Sequence, residues 1–277
     1  MKITYLGTAA AEGIPAIFCA CRTCRKAQEL GGKNIRTRSQ ALIDDQLLID
    51  LPPDSYYHFI HNNIRSAEIA ALLVTHSHQD HFYPQEFIMR AEPYAHMHKV
   101  PVLSVYGNAK VHAFYKMALA LQDDSLNIHA RVCFHQIKEF ETLVIPGRYT
   151  VTPVLANHDK TENCFLYLIE RNGKTIFYSN DTGYYPEVTW NYLKGRHLDL
   201  VSLDCTCVMT KDGHTHMGIP DNIEIKERLY QIGCADDTTK FVITHFSHNY
   251  KMQHDEIEEA GKKYGFITAY DGMTVEV

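Results

Sequence analysis

Ala70-Ala71-Leu72-Leu73-Val74-Thr75-His76-Ser77-His78-Gln79-Asp80-His81 is the stretch whose reading decides the fold. A short apolar run with a β-branched end reads as a buried strand. The six residues from His76 to His81 then pack three imidazoles and a carboxylate into its C-terminal edge. Neutral imidazoles offer lone pairs and the carboxylate offers oxygens. His76 and His78 alternate by two, so an extended segment projects them to one side, and Asp80 and His81 then turn onto a second face. One cation could not easily take all four groups from so short a loop, and the pattern points to two metals held by one turn. The competing reading is a polar loop of surface histidines in a chain that has 17 of them.

Working outward, 277 residues at 45% hydrophobic composition can bury a large core as one large domain or two small ones. A formal net charge of −6 without a basic tail disfavours nucleic acid as the main partner. The start, Met1-Lys2-Ile3-Thr4-Tyr5-Leu6-Gly7, lacks the long apolar region of a signal peptide, and no stretch reaches the ~18 uninterrupted apolar residues of a membrane span. A soluble, cytoplasmic protein is expected. Eight cysteines in that setting point to metal binding or free thiols rather than a disulfide framework.

Lys2 to Leu6 reads as a strand and Gly7 to Gly13 as a small-residue turn. Cys19-Ala20-Cys21-Arg22-Thr23-Cys24 comes next, then a helix from Arg25 to Leu30. Three cysteines so close are a thiolate metal knot or a set of free thiols, and a closed structural zinc site would need a fourth ligand from elsewhere. Gln40 to Ile43 and Leu47 to Leu51, joined by Asp44-Asp45, read as a hairpin, and Asp54 to Asn62 as a helix with an Asp cap. Between Pro84 and His135 the pattern gives helices near 84–91 and 108–121 around a strand at 100–105. His96, His98, His112, His129 and His135 lack ligand spacing, and Cys133, Cys164 and Cys234 read as small buried hydrophobes.

Further on, strand ends deliver polar groups again. Thr150 to Leu155 empties into Asn157-His158. A hairpin of Cys164 to Glu170 and Lys174 to Ser179, turning at Asn172-Gly173, delivers Asn180-Asp181. Val201 to Asp204 precedes Cys205-Thr206-Cys207 and the loop His214-Thr215-His216-Met217. Pro220 begins a helix to Ile232, Lys240 to Ile243 empties into Thr244-His245-Phe246-Ser247-His248, and a helix and a Phe266 to Val277 hairpin complete the chain.

His76-Ser77-His78-Gln79-Asp80-His81 resembles the His-x-His-x-Asp-His signature of the metallo-β-lactamase superfamily, and His158, Asp181 and His245 match its remaining metal motifs in order and context. The resemblance implies an α/β fold: one domain over residues 1–277, an αββα sandwich of two mixed sheets with a dinuclear metal site at the rim. It implies that His76, His78 and His158 hold one divalent ion, that Asp80, His81 and His245 hold the other, and that Asp181 bridges them. Zinc, manganese or iron would suit such donors. Asp50 resembles the superfamily's early aspartate that supports the metal loop. Phe82-Tyr83-Pro84 departs from the small residue many members carry there.

More narrowly, the three cysteines after Gly13-x-Pro15, Asn157-His158-x-Lys160, Thr244-His245-x-Ser247-His248 and Tyr270-Asp271-Gly272-Met273 resemble the PhnP-type cyclic phosphodiesterases. That likeness implies a structural zinc on Cys19, Cys21, Cys24 and His248, a small phosphodiester substrate and a homodimer. It assigns catalysis to Asp80 and to His216 as proton donor, with His214, or the metals alone, as alternatives. Lys160 is either a phosphate contact or an ordinary solvated lysine. Acyl or thioester hydrolysis, a ribonuclease Z-like nuclease, and a metal-binding or redox-sensing module are the other functions considered.

Overall fold

The computed structural model describes residues 1–96, 99–122 and 126–277. One seven-stranded sheet runs β14-β1-β2-β3-β4-β5-β6: β1 (Lys2–Gly7), β2 (Gln40–Ile43), β3 (Leu47–Ile49), β4 (Ala71–Leu73), β5 (Leu103–Gly107), β6 (Val132–Gln136) and β14 (Met273–Glu276). The other runs β13-β12-β11-β10-β9-β8-β7: β7 (Leu143–Ile145), β8 (Tyr149–Leu155), β9 (Phe165–Arg171), β10 (Lys174–Ser179), β11 (Leu200–Asp204), β12 (Lys240–Thr244) and β13 (Phe266–Thr268). Both are mixed. β14, β1, β2 and β3 pair antiparallel before β4, β5 and β6 continue in parallel, and β7 to β10 pair antiparallel before β11, β12 and β13 do the same.

Alternation along the strands explains the layers. Ile43, Ile49 and Leu73 point inward and meet Tyr149, Val151, Tyr167, Ile169 and Tyr178 of the other sheet. Their chain neighbours Leu42, Leu48 and Leu72 point outward, under α2 (Ser55–His61) and α3 (Ala109–Ala120). Strands covered on both faces read as unbroken apolar runs, which is why Ala70 to Val74 shows no polar alternation. The second sheet is covered outside by α1 (Arg22–Leu30), α4 (Glu187–Leu193), α5 (Ile219–Gln231) and α6 (His254–Lys262), around Phe177, Trp190, Val201, Leu203 and Phe241. Burying each such side chain contributes about 1.5–3 kcal/mol. The result is the expected αββα sandwich.

Several local expectations need correction. Phe266 to Val277 is not a hairpin: β13 pairs with β12, whereas β14 crosses to the first sheet and pairs with β1. The crossing is fixed by Asp271, whose Oδ1 accepts from Thr8 Oγ1 at 2.6 Å and whose Oδ2 accepts from the Thr37 N–H at 2.6 Å. Asp54 precedes α2 without capping it, because its carboxylate takes the Arg38 N–H and guanidinium, each at 3.0 Å. The helical segment expected near 84–91 is present, as a 3-10 helix over Pro84–Arg90, while the strand expected at 100–105 is shifted to Leu103–Gly107. Cys164 and Cys234 are buried, but Cys133 is exposed, because β6 is an edge strand with one open face. His96, His129 and His135 are exposed and His112 is half-buried against Phe134; His98 lies outside the described residues.

Candidate metal centre

All the strand-end residues singled out above gather at one rim, beyond the C-terminal ends of β3, β4, β8, β10, β11 and β12, where open α/β sheets place their ligand sites. Asp50, at the end of β3, is fully buried and left-handed at φ 64°. Its Oδ1 accepts from the Thr75 N–H at 2.8 Å and its Oδ2 faces His81 Nδ1 at 2.7 Å. One carboxylate thereby fixes the start of the metal loop and turns His81 so that Nε2 looks into the site.

Asp181 follows β10, buried and at φ 57°. Its Oδ2 lies 3.3 Å from His76 Nε2, 3.2 Å from His81 Nε2, 3.3 Å from His158 Nε2 and 3.8 Å from His245 Nε2. His158 Nε2 is also 3.2 Å from His78 Nδ1, and His245 Nε2 is 3.4 Å from His81 Nε2. His76, His78, His158 and Asp181 bring one donor atom each to within 4.8 Å of one another, and so do Asp80, His81, Asp181 and His245. The residues of these two groups are those that the resemblance groups together, with Asp181 common to both, and Asp181 also lies within the same distance of Asp204, His216 and His245.

The donor chemistry fits divalent cations. His76 Nε2 and Asp181 Oδ1 are buried yet take no aligned hydrogen bond, a cost of about 1–3 kcal/mol each that a cation would remove. Imidazole nitrogens here face one another and carboxylates, an acceptor-rich arrangement. Burial, followed by the nearby His81, lowers the His76 imidazole to about 4, keeping its lone pair free. Burial works against the Asp181 carboxylate, yet the His245 and His158 imidazoles hold it well below the usual carboxylate range.

Asp204, at the end of β11, reads from the sequence only as a strand terminus. It is fully buried, and its Oδ1 accepts from the Met217 N–H at 2.7 Å and the Thr206 N–H at 3.1 Å. Its Oδ2 accepts from Thr206 Oγ1 at 2.9 Å and faces His245 Nδ1 at 3.4 Å and His216 Nδ1 at 3.5 Å. His245 sits at φ 66°, and left-handed backbone at three site residues, Asp50, Asp181 and His245, is strain of the kind found where function over-determines geometry. His216 Nδ1 is 3.1 Å from Asp181 Oδ1 and its side chain is 28% exposed, so the ring borders both the cluster and solvent. Burial opposes its charging, but Asp181 and Asp204 carry its pKa up to about 11. His214 and Lys160 are exposed.

Cys19, Cys21, Cys24 and His248 also converge within 4.8 Å. His248 Nδ1 is 3.4 Å from Cys21 Sγ and 3.7 Å from Cys19 Sγ, while its Nε2 faces Glu12 Oε1 at 3.6 Å. The N–H of Cys24, then His248, lowers the Cys21 thiol to about 6, and burial raises that of Cys24 to about 12. Three sulfurs and an imidazole backed by a carboxylate suit a closed tetrahedral site. Phe246, between His245 and His248, exchanges backbone hydrogen bonds with Thr8 and Ala10, so one segment contributes a histidine to each of the two clusters.

Among solved structures, a diphosphatase from the PhnP family superposes with a TM-score of 0.75 at 24% identity, covering 100% of this chain and 97% of that one. The Zn²⁺-bound PqqB of Methylobacterium extorquens gives a TM-score of 0.69 at 17% identity, covering 100% of both chains. Among curated proteins, an octanoyltransferase of Porphyromonas gingivalis (strain ATCC BAA-308 / W83) is 34% identical over 83 residues, 29% of this chain and 16% of that protein. No helix among the described residues is long and apolar enough to cross a membrane. The model of the beta-lactamase superfamily domain matches residues 46–246, a span that holds every member of the His/Asp cluster. The chain therefore belongs to the beta-lactamase superfamily and carries its metallo-β-lactamase fold.

Proposed function

We propose that the protein is a dinuclear metal hydrolase that cleaves a small, cyclic or otherwise compact phosphodiester. The observation that carries this reading is Asp181 Oδ2, shared between two convergent donor sets. His76, His78 and His158 would hold one ion, Asp80, His81 and His245 the other, with Asp181 between them. When bound, such a pair supplies acidified water and positive charge to offset phosphoryl oxygens. Asp181 and Asp80 keep the frame anionic and matched to divalent charge. Asp50 and Asp204 orient His81 and His245 through their Nδ1 atoms, which leaves each Nε2 to face the site.

The remaining chemistry falls to His216. A diester expels an alkoxide, which leaves more easily with a proton, and a solvent-bordering imidazolium backed by Asp204 is placed to give one. Cys19, Cys21, Cys24 and His248 would hold a separate structural zinc. The diphosphatase likeness supports phosphoryl chemistry, and the short octanoyltransferase match makes acyl or thioester hydrolysis the second reading. The test is metal analysis of protein purified without added metal, with hydrolysis of bis(p-nitrophenyl) phosphate compared against a thioester. Three ions per chain, diester cleavage, and loss of that cleavage in Asp181→Ala are expected. Thioester cleavage alone would overturn the proposal.

A further inference from the structure

Glu162 has no part in the chemistry above, yet its side chain is only 1% exposed. It stands in the loop from β8 to β9 that also carries His158. Its chief partner is Ser77, the residue between His76 and His78. Ser77 Oγ donates to Glu162 Oε1 at 2.6 Å, and the Ser77 N–H lies 3.2 Å from both oxygens. The other partners come from segment 84–135, to which the sequence assigns no role. Asn108 accepts from the Lys110 and Val111 N–H groups to cap α3, and turns its Nδ2 to donate to Glu162 Oε2 at 2.6 Å and Asn163 O at 2.9 Å. Lys110 Nζ, on the first turn of α3, is 3.5 Å from Glu162 Oε1 and 3.2 Å from Asp159 Oδ2, and donates to Thr161 Oγ1 at 2.6 Å. Asp159 Oδ2 in turn faces His78 Nε2 at 3.5 Å, on the far side of the ring from the Nδ1 that faces His158.

Each contact bears on how the metal loop is held. Ser77 is fixed by a buried charged acceptor, and bonds to ionised groups are the stronger kind. His78 stands between two partners that assign its nitrogens different tasks. We propose that Asn108, Lys110, Asp159 and Glu162 form a clamp that positions Ser77 and His78, so that the His76/His78/His158 site is set for a cation before one arrives. The clamp rests on the metal-centre reading above. It adds what that reading lacks: the start of α3 acts on the centre from outside as a set of positioning residues.

Cobalt titration with a competing chromophoric chelator tests this on wild type, Glu162→Gln, Ser77→Ala and the double variant. The thiolate-to-cobalt charge-transfer band marks the Cys19/Cys21/Cys24/His248 site separately. Affinity at one His/Asp position is expected to fall about 10–100-fold in each single variant. The thiolate site should be unchanged, and the double variant should lose less than the product of the two. Thermal unfolding of the metal-free forms identifies any variant that has not folded; Ser77→Ala, a smaller change, then carries the test. Unchanged affinity in both single variants would overturn the clamp, as would an equal loss at the thiolate site, which marks general loosening. Wild type that binds cobalt at the thiolate site alone would instead overturn the metal-centre reading, and the clamp with it.

Discussion

Replacing Asp204 by Asn changes one buried oxygen into an N–H donor while keeping shape. Asn can retain its Oδ1 bonds to the Thr206 and Met217 N–H groups, so the new amide falls where Oδ2 now faces His216 Nδ1 and His245 Nδ1. Thr206 Oγ1, at 2.8 Å from His245 Nδ1, and Asp181 Oδ1, at 3.1 Å from His216 Nδ1, remain as partners, so what the change removes is one of the two carboxylate charges beside His216 and the charged acceptor behind His245. Loss of a positioned proton donor costs about 10²–10⁴-fold, or about 3–5 kcal/mol. Misorientation of His245 costs about 10–100-fold in metal affinity. The two effects separate under saturating metal, with kcat compared for a diester that expels an alkoxide and one that expels p-nitrophenolate, which departs without a proton. Asp204→Asn and His216→Ala should each lose most of their rate on the alkoxide substrate and little on the other, and the double variant should be no worse than His216→Ala. An equal loss on both substrates at saturating metal would refute the assignment.

A Cβ built on Gly183 would lie 2.2 Å from His214 O and 2.6 Å from Gly213 O, both backbone atoms. Gly183→Ala should displace the loop that carries His216, lowering kcat on alkoxide substrates while metal content, read by elemental analysis, stays at the wild-type level. His58 is buried between Thr37 and Gln40, and burial, despite the nearby Asp54, lowers its pKa from 6.5 to about 4. The unfolded chain therefore binds a proton that the folded one refuses, and stability falls as pH drops from about 6.5 toward about 4. In urea unfolding, the advantage of wild type over His58→Gln should shrink by about 2 kcal/mol between pH 7 and pH 5; an unchanged gap would count against the reasoning.

The parts legible from the residues alone share one property: their chemistry is local, whereas His158, Asp181, His245 and His248, far apart in the chain, enter only through the resemblance. His76 to His81 announce themselves because four donors crowd one strand end, and Asn172-Gly173, at φ 52° and 73°, makes its turn from two residues alone. Asp204 is silent in the sequence because the two imidazoles it faces lie 12 positions on, at His216, and beyond a further helix and strand, at His245, and a lone aspartate after a strand looks like any turn residue. Glu162 is silent for the same reason, its partners being 85 and 54 positions upstream. The false hairpin at the C-terminus shows the limit of periodicity. Two short apolar runs around Tyr270-Asp271-Gly272 look alike whether they pair together or join different sheets, and only the distant Thr8 and Thr37 decide.

That crossing strand has a consequence for how the protein is made. Lys2 pairs with Glu276 and Ile3 with Val275, so β1, made ahead of the other strands of the fold, waits for β14 before its outer edge is covered. A chain emerging from the ribosome would form most of the first sheet early, with β1 presenting unpaired backbone groups that invite strand pairing with other chains. The His-x-His loop would also exist before His158, Asp181 and His245 have been added. Pairings so remote in sequence fold slowly, and a nascent or clipped chain short of residues 273–276 should be the species most dependent on chaperones and most prone to aggregate.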